Sequence, residues 1–271
     1  METNLSIITP DPAAAAPEID FERRFGGIAR LYGVSALERF RHAHVCVIGV
    51  GGVGSWVVEA LARSAIGKLT LIDLDNVSES NINRQIQALT GTVGQPKIVA
   101  LAERIAQINP FCDVTLVEDF IDADNLPQMI GGRGFDYVID AIDSVKAKAA
   151  LIAFCRDHAI PLLTSGGAGG QVDPTLIAVR DLAKTEQEPL LKMVRKRLRN
   201  QYGFPRGEKN KFHVDAVFSM EPLRLPEGDE ACEIDSVTGL NCAGFGSSMV
   251  VTATFGMVAA AHVLRRLANL L

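Results

Sequence analysis

The chain alternates between short apolar runs and longer segments in which apolar residues recur at helical spacing. Residues 44–50 form an apolar, β-rich run ending in glycines, and they read as a buried parallel strand. Residues 52–65 follow as a helix and residues 68–73 as a second strand. Within 95–109, Ile98, Leu101, Ala102, Ile105 and Ile108 recur on one helical face. Pro110 stops that helix, because its ring clashes with the preceding turn. Residues 114–117 and 137–141 read as third and fourth strands, 146–158 as a helix and 160–164 as a fifth strand. This order predicts an α/β fold: a Rossmann-like, doubly wound, mostly parallel sheet whose ligand site lies at the carboxyl ends of the strands.

After Gly170 the rhythm changes. Residues 176–179 and 213–219 read as strands, with a basic helical stretch over 190–199 between them. Residues 203–211 and 226–240 are rich in Gly, Pro and charge and read as mobile loops. Residues 245–264 are 20 positions with His262 as the single ionisable side chain, long enough to span a bilayer. Ser247, Ser248, Thr252, Thr254 and several Gly and Ala favour instead a helix packed closely inside the protein. The organisation expected is a disordered arm over 1–20 and a single domain over 21–271. Its nucleotide site falls in 21–180, a basic insertion in 184–243 and a final apolar helix in 244–270.

Composition narrows the class. With 271 residues, 48% hydrophobic and 22% charged, the chain suits one large globular α/β domain or two small ones. A net charge of −5 argues against coating of nucleic acid by the whole surface, though not against a local basic patch. The five cysteines, Cys46, Cys112, Cys155, Cys232 and Cys242, are odd in number and contain no C-x-x-C pair. Neither a disulfide framework nor a structural zinc site is expected, and a reducing, cytoplasmic compartment is. Membrane association through 245–264 is the alternative. Residues 1–17 are acidic and rich in Ala and Pro, without the basic start and apolar run of a secretion signal.

Candidate chemistry begins at Gly49-Val-Gly51-Gly52-Val-Gly54, which follows a strand and opens a helix. Glycines there let backbone N–H groups approach phosphate at the positive end of the helix. With Asp73 19 residues beyond Gly54 to accept ribose hydroxyls, the motif fits NAD, FAD and ATP equally. The next segment separates them. Ser80-Asn81-Ile82-Asn83-Arg84 and the lysine of Gly94-Gln-Pro-Lys97 supply donors and cations in order. A dinucleotide has no use for that many, whereas a triphosphate and its pyrophosphate leaving group do. Asp143, in Asp140-Ala-Ile-Asp143-Ser144, falls at the end of the fourth strand, placed to hold Mg²⁺ between phosphates. Its other reading is the N-cap of the helix that follows. Asp140 reads as buried in the strand end.

These motifs, in this order and spacing, resemble the ubiquitin-activating-enzyme-like superfamily, which includes adenylyltransferases that activate sulfur-carrier proteins. The resemblance covers roughly 21–180. It implies ATP and Mg²⁺ as cofactors and carries ATP binding to Gly52, Asp73, Ser80, Asn81, Ile82, Asn83, Arg84, Lys97, Asp143 and Ser144, with Arg84, Lys97 and Asp143 acting in catalysis. It also implies a homodimer in which Arg24 completes the neighbour's phosphate site. The other reading of Arg24 is a surface charge. Two departures point away from protein activation. The paired C-x-x-C motifs of the sulfur-carrier activators are missing, and the only candidate for a thioester cysteine, Cys232, lies among acidic residues that raise a thiol's pKa.

Further motifs resemble the tRNA threonylcarbamoyladenosine dehydratase family of that superfamily over nearly the whole chain from Phe21. They are Arg24-Phe-Gly-Gly, Leu31-Tyr-Gly33, Thr164-Ser-Gly-Gly-Ala-Gly-Gly170-Gln-Val-Asp-Pro174, Asp181-Leu-Ala-Lys184-Thr and Met249-Val-Val-Thr-Ala-Thr-Phe-Gly256. The reaction implied is ATP-dependent adenylation of the threonylcarbamoyl carboxylate beside the anticodon, followed by intramolecular ring closure. The basic stretch with Lys192, Arg195, Lys196, Arg197 and Arg199, continued by Arg206, Lys209 and Lys211 and opposed by Glu208, is the candidate tRNA surface. Its other reading is a solvated helix face. A cysteine-desulfurase or sulfur-acceptor system is a further implied partner. Two other functions stand beside this one: adenylation of a sulfur carrier's C-terminus, and a dinucleotide-binding oxidoreductase.

Overall fold

The computed structural model describes residues 19–207, 209–224 and 245–271. Most of the arm expected over 1–20, the loop expected over 226–240, and Cys232, Cys242 and Glu208 lie outside the described residues.

Seven strands form one sheet: β1 (His44–Ile48), β2 (Lys68–Ile72), β3 (Asp113–Val117), β4 (Tyr137–Asp140), β5 (Leu162–Ser165), β6 (Ile177–Asp181) and β7 (Asp215–Ser219). Their order across the sheet is β3-β2-β1-β4-β5-β7-β6. Every neighbouring pair is parallel except β6–β7, which is antiparallel. The predicted mostly parallel, doubly wound sheet is therefore present. β1, β2 and β4 are buried at nearly every position, as strands covered on both faces must be. The chain leaves β1 toward β2 and β3 and returns to β4 on β1's other side, so the order reverses there. Such a reversal opens a crevice at the carboxyl ends of the strands.

Helices cover both faces. On one lie α2 (Val34–His42), α3 (Gly54–Arg63), α4 (Lys97–Ile108) and α8 (Met249–Leu267), packed with Val45, Val47, Leu69 and Leu71. On the other, α6 (Val145–Asp157) and α7 (Pro189–Gln201) pack with Cys46, Ile48, Val138 and Phe218, alongside the short α5 (Leu126–Met129). α8 is long and apolar enough to cross a membrane by length and composition. It is packed as a core helix: Val251, Phe255, Ala259 and Val263 form a buried stripe at i, i+4 spacing. At Gly256 a Cβ would lie 2.6 Å from the Trp56 Cβ and 2.8 Å from the Val53 oxygen, so only glycine permits α8 to approach α3 this closely.

Several boundaries differ from expectation. α3 starts at Gly54, not at residue 52, because the glycine turn occupies the residues before it. β5 starts at Leu162, after Pro161, which has no N–H to donate to a ladder. β7 starts at Asp215, because His213 sits at a φ of 56°, outside extended geometry. α8 runs from Met249 to Leu267, shorter than the 244–270 expected. The sequence reading assigned no element before β1, yet α1 (Phe21–Tyr32) and α2 precede it, separated at Gly33 with φ 92°. Asp20, whose side chain accepts from the Arg23 N–H, is the N-cap that marked the start of α1.

Candidate functional site

The crevice at the chain reversal is a cleft of about 920 Å³. Its floor is the turn between β1 and α3. Gly49 has a φ of 81°, and a Cβ there would lie 2.8 Å from the Ala141 oxygen at the end of β4, so the position admits glycine alone. Gly49, Gly51 and Gly52 line the cleft. Gly54 does not; a Cβ there would come within 1.9 Å of the Gly49 oxygen. Its role is to let α3 close on the turn rather than to admit a ligand. That corrects the sequence assignment.

The Asp73 carboxylate, at the end of β2, ties this turn down. Its oxygens accept the Val50 N–H at 2.7 Å and the Asp75 N–H at 2.9 Å. Burial pushes its pKa up, against the opposing pull of Lys97 and of those two backbone donors. A carboxylate has about four acceptor positions, so two remain for ribose hydroxyls. Lys97, the first residue of α4, is buried with its Nζ 2.6 Å from Asp75 Oδ2 and 4.0 Å from Asp73 Oδ1.

Between Asp75 and Lys97 the chain loops over the cleft. Ser78 and Asn81 form a reciprocal capping box, in which Asn81 Oδ1 accepts the Ser78 N–H at 3.0 Å. Asn81 is buried and lines the cleft while holding the loop's shape. Arg84 donates from Nη1 to the Ser80 oxygen at 2.5 Å and to Asn83 Oδ1 at 3.0 Å, which orients the guanidinium beside the cleft. Asn83 donates to the Ser247 oxygen at 2.8 Å and accepts the Met249 N–H, joining the loop to the start of α8. Ser80, Asn83, Arg84 and Lys97 all line the cleft. Ile82 does not; it faces solvent at 49% exposure, because the short helical turn directs it away from its neighbours.

At the end of β4, Asp140 is fully buried, as read from sequence. Its Oδ2 accepts from Lys148 Nζ at 2.8 Å and from Thr164 Oγ1 at 2.7 Å, and its Oδ1 accepts the Ile142 N–H at 3.0 Å. A buried pair broken on one side costs about 3–5 kcal/mol, so the turn carrying Asp143 is firmly held. Asp143 and Ser144 are exposed and line the cleft. The helix N-cap is Ser144, which accepts the Ala147 N–H, so the capping alternative considered for Asp143 belongs to its neighbour.

Sequence reading missed Glu188. It lines the far wall, caps α7 by accepting the Leu191 N–H, and accepts the Gly167 N–H at 2.9 Å. Burial raises its pKa against those backbone bonds. Pro189 at the first helical position was the available signal for a cap there. Arg24 lies away from the cleft of its own chain; it donates to the Gln107 and Ile108 oxygens at the end of α4.

A family model described as the ThiF family matches residues 25–270. The chain belongs to the ThiF family. Within it, the tRNA threonylcarbamoyladenosine dehydratase of Haemophilus influenzae is 53% identical over 92% of this chain and 94% of its own length. The solved Escherichia coli tRNA N6-threonylcarbamoyladenosine dehydratase in complex with ATP superposes with a TM-score of 0.84 at 53% identity, covering 92% of this chain and 95% of that one. The same enzyme in complex with AMP gives 0.84 at 52% identity, covering 94% and 98%. The resemblance read from the motifs is borne out.

Three further features of this chain bear on chemistry. Burial pushes the thiol of Cys46 up, and those of Cys112 and Cys155 up to about 12, so none of these is a ready nucleophile. Among the described residues no three His, Cys, Asp or Glu side chains cluster as metal ligands. Of the basic residues on α7, Lys192 and Lys196 are exposed, while Arg195, Arg197 and Arg199 are half-buried.

Proposed function

We propose that this chain is an ATP-dependent tRNA threonylcarbamoyladenosine dehydratase. The observation that carries the reading is the likeness, at 53% identity over 92% of the chain, to a dehydratase solved with ATP, together with a cleft whose lining suits that nucleotide. The glycine turn presents backbone N–H groups to phosphate at the start of α3. Asp73 takes the ribose, and Arg84 and Lys97 offset charge that builds on the departing pyrophosphate. Asp143, exposed on a rigid turn, would hold Mg²⁺, which would supply positive charge to offset the charge of the phosphates.

In the first step a carboxylate oxygen of the threonylcarbamoyl group bonds to the α-phosphorus, and the bond from that phosphorus to the bridging oxygen breaks. Pyrophosphate leaves. In the second step the carbamoyl group bonds to the activated acyl carbon and closes a ring, AMP departs with the former carboxylate oxygen, and a proton is lost. The tRNA has lost one water in net terms, its oxygen carried off in AMP. Because the nucleophile and the acyl group share one side chain, their effective concentration is very high and no enzyme cysteine is needed. The homodimer with Arg24 reaching the neighbour's phosphates, the tRNA contact through α7 and a sulfur-system partner belong to the same reading.

The test is incubation of the protein with ATP, Mg²⁺ and tRNA, followed by digestion and nucleoside mass measurement. The expected result is a threonylcarbamoyladenosine lighter by one water, with AMP formed in equal amount. AMP released only when a small sulfur-carrier protein is supplied would overturn it.

A further inference from the structure

α7 connects two recesses. Its first residues, Pro189 and Leu190, line the nucleotide cleft with Glu188. Two to three turns further on, Arg195 and Arg199 line a second basin of about 770 Å³, between α7 and the segment that follows β6. Arg180, Lys184 and Arg206 complete its cationic wall, and Glu186 is the carboxylate in its lining. At 1.5 Å rise per residue, Arg195 stands about 10 Å and Arg199 about 16 Å along the axis from Glu188. Lys192 falls between Glu188 and Arg195 on the same face, by its four- and three-residue spacing.

Three of the arginines here, Arg195, Arg199 and Arg206, are held by neutral acceptors. Arg195 donates to Thr185 Oγ1. Arg206 donates to Asn200 Oδ1 at 2.7 Å, and Arg199 donates to the Pro205 oxygen at 3.4 Å while its guanidinium stands 5.1 Å from the Phe212 ring. Among the described residues of the basin, Arg180 is the arginine with a carboxylate ion-pair partner, Glu186 at 3.0 Å. Arg195 is crowded enough by burial and by Arg199 that its pKa falls below the ordinary arginine value. Bringing like charges together without counter-ions costs free energy, and orienting them in advance reduces the cost of binding an anion. Guanidinium forks match phosphate oxygens in pairs.

We propose that this basin is a phosphate subsite for the RNA strand, gripping the backbone a few nucleotides from the nucleoside held in the cleft. The proposal rests on the dehydratase reading and adds to it the place where the substrate's backbone is held. It divides the basic residues read from sequence: Arg195 and Arg199 serve the basin with Arg180, Lys184 and Arg206, and Lys196 does not line it. An acidic protein segment could meet the same charges. RNA is favoured because the basin shares a helix with the cleft that must hold the modified nucleoside.

The experiment measures tRNA binding across a salt series for the wild type, for R180Q with R206Q, and for K68Q with R133Q. The last pair makes the same charge change at the start of β2 and in the segment before β4, where both residues are exposed. Arg180 and Arg206 are also exposed, so their replacement spares the core; thermal melting and ATP affinity confirm folding. The basin variant is expected to bind tRNA at least tenfold more weakly. Its log–log salt slope should fall by about one for each lost phosphate contact. Its KM for tRNA should rise with kcat at saturation kept. Nucleoside mass is followed in parallel on the wild type. If the wild type dehydrates tRNA and the basin variant matches it in affinity and slope, the subsite is wrong and the dehydratase reading stands. If the wild type neither binds nor converts tRNA, the reading itself fails and the subsite with it. Loss of an acidic protein partner with tRNA affinity intact would assign the basin to that partner and overturn the proposal.

Discussion

Asp143 and Gly54 show how differently two residues of one motif set are used. Gly54 belongs to the glycine pattern by letter, but its Cα faces the Gly49 oxygen, and its small size serves chain closure. Asp143 belongs to the cleft, and its capping alternative is taken by Ser144. Asp143→Ala is therefore expected to melt within a few degrees of wild type and to lose at least about 100-fold in turnover, the scale set by removing one electrostatic group from a reacting centre. Thermal melting and AMP release measure both; near-normal turnover would remove Asp143 from the chemistry. Most of the site was legible at this scale, because Asp73, Arg84, Lys97 and Asp143 are chemically informative types at the ends of recognisable elements. Glu188 was not. Its partner Gly167 is 21 residues away, and the two meet only because α7 starts beside the end of β5.

Among elements, α8 had two readings from composition, and one face of it packs inside the protein. It lies against α3 through Gly256 and is anchored to β7 through Asp215, whose Oδ2 accepts from His262 Nε2 at 2.8 Å and from Arg266 Nη2 at 2.9 Å. The hydrogen bond from His262 leads the causes that hold the Asp215 carboxyl below the usual range; Arg266 adds to it and burial opposes it. Tyr137, buried nearby, has its own pKa raised by burial and by Asp215. A depressed folded-state pKa contributes stability that is present above the unfolded value and lost as pH falls through the folded one. Asp215→Asn should thus cost about 1.5 kcal/mol at neutral pH, the scale of a hydrogen bond to a charged group. The melting gap from wild type should hold down to about pH 4 and close below it. A gap that widens on acidification would contradict this account of the anchor.

For the whole molecule, the placement of Arg24 matters most. In its own chain it caps the end of α4, away from the cleft, so it has no route to the local phosphates. If the proposed dimer delivers it to the neighbour, Arg24→Ala and Lys97→Ala subunits are each inactive alone but complement each other. Mixing them should restore up to about a quarter of wild-type activity if the subunits exchange at random. No recovery, with exchange verified by labelled subunits, would leave Arg24 a helix-capping residue.

By itself the sequence determined the alternation of strands and helices, the glycine turn and the order of charged residues along the nucleotide site. Those features are local: burial on both faces forces continuous apolar strands, and a phosphate-binding turn requires glycines next to one another. Tertiary structure decided what depends on the meeting of distant segments. It made Asp140 half of a buried ion pair with Lys148, turned Ile82 to solvent, buried α8 against α3, and set Arg195 and Arg199 beside Arg180 and Arg206. The spacing of residues along a chain fixes which face of an element they share. Which faces then meet is set by how helices pack on a twisted sheet, and no single segment carries that information.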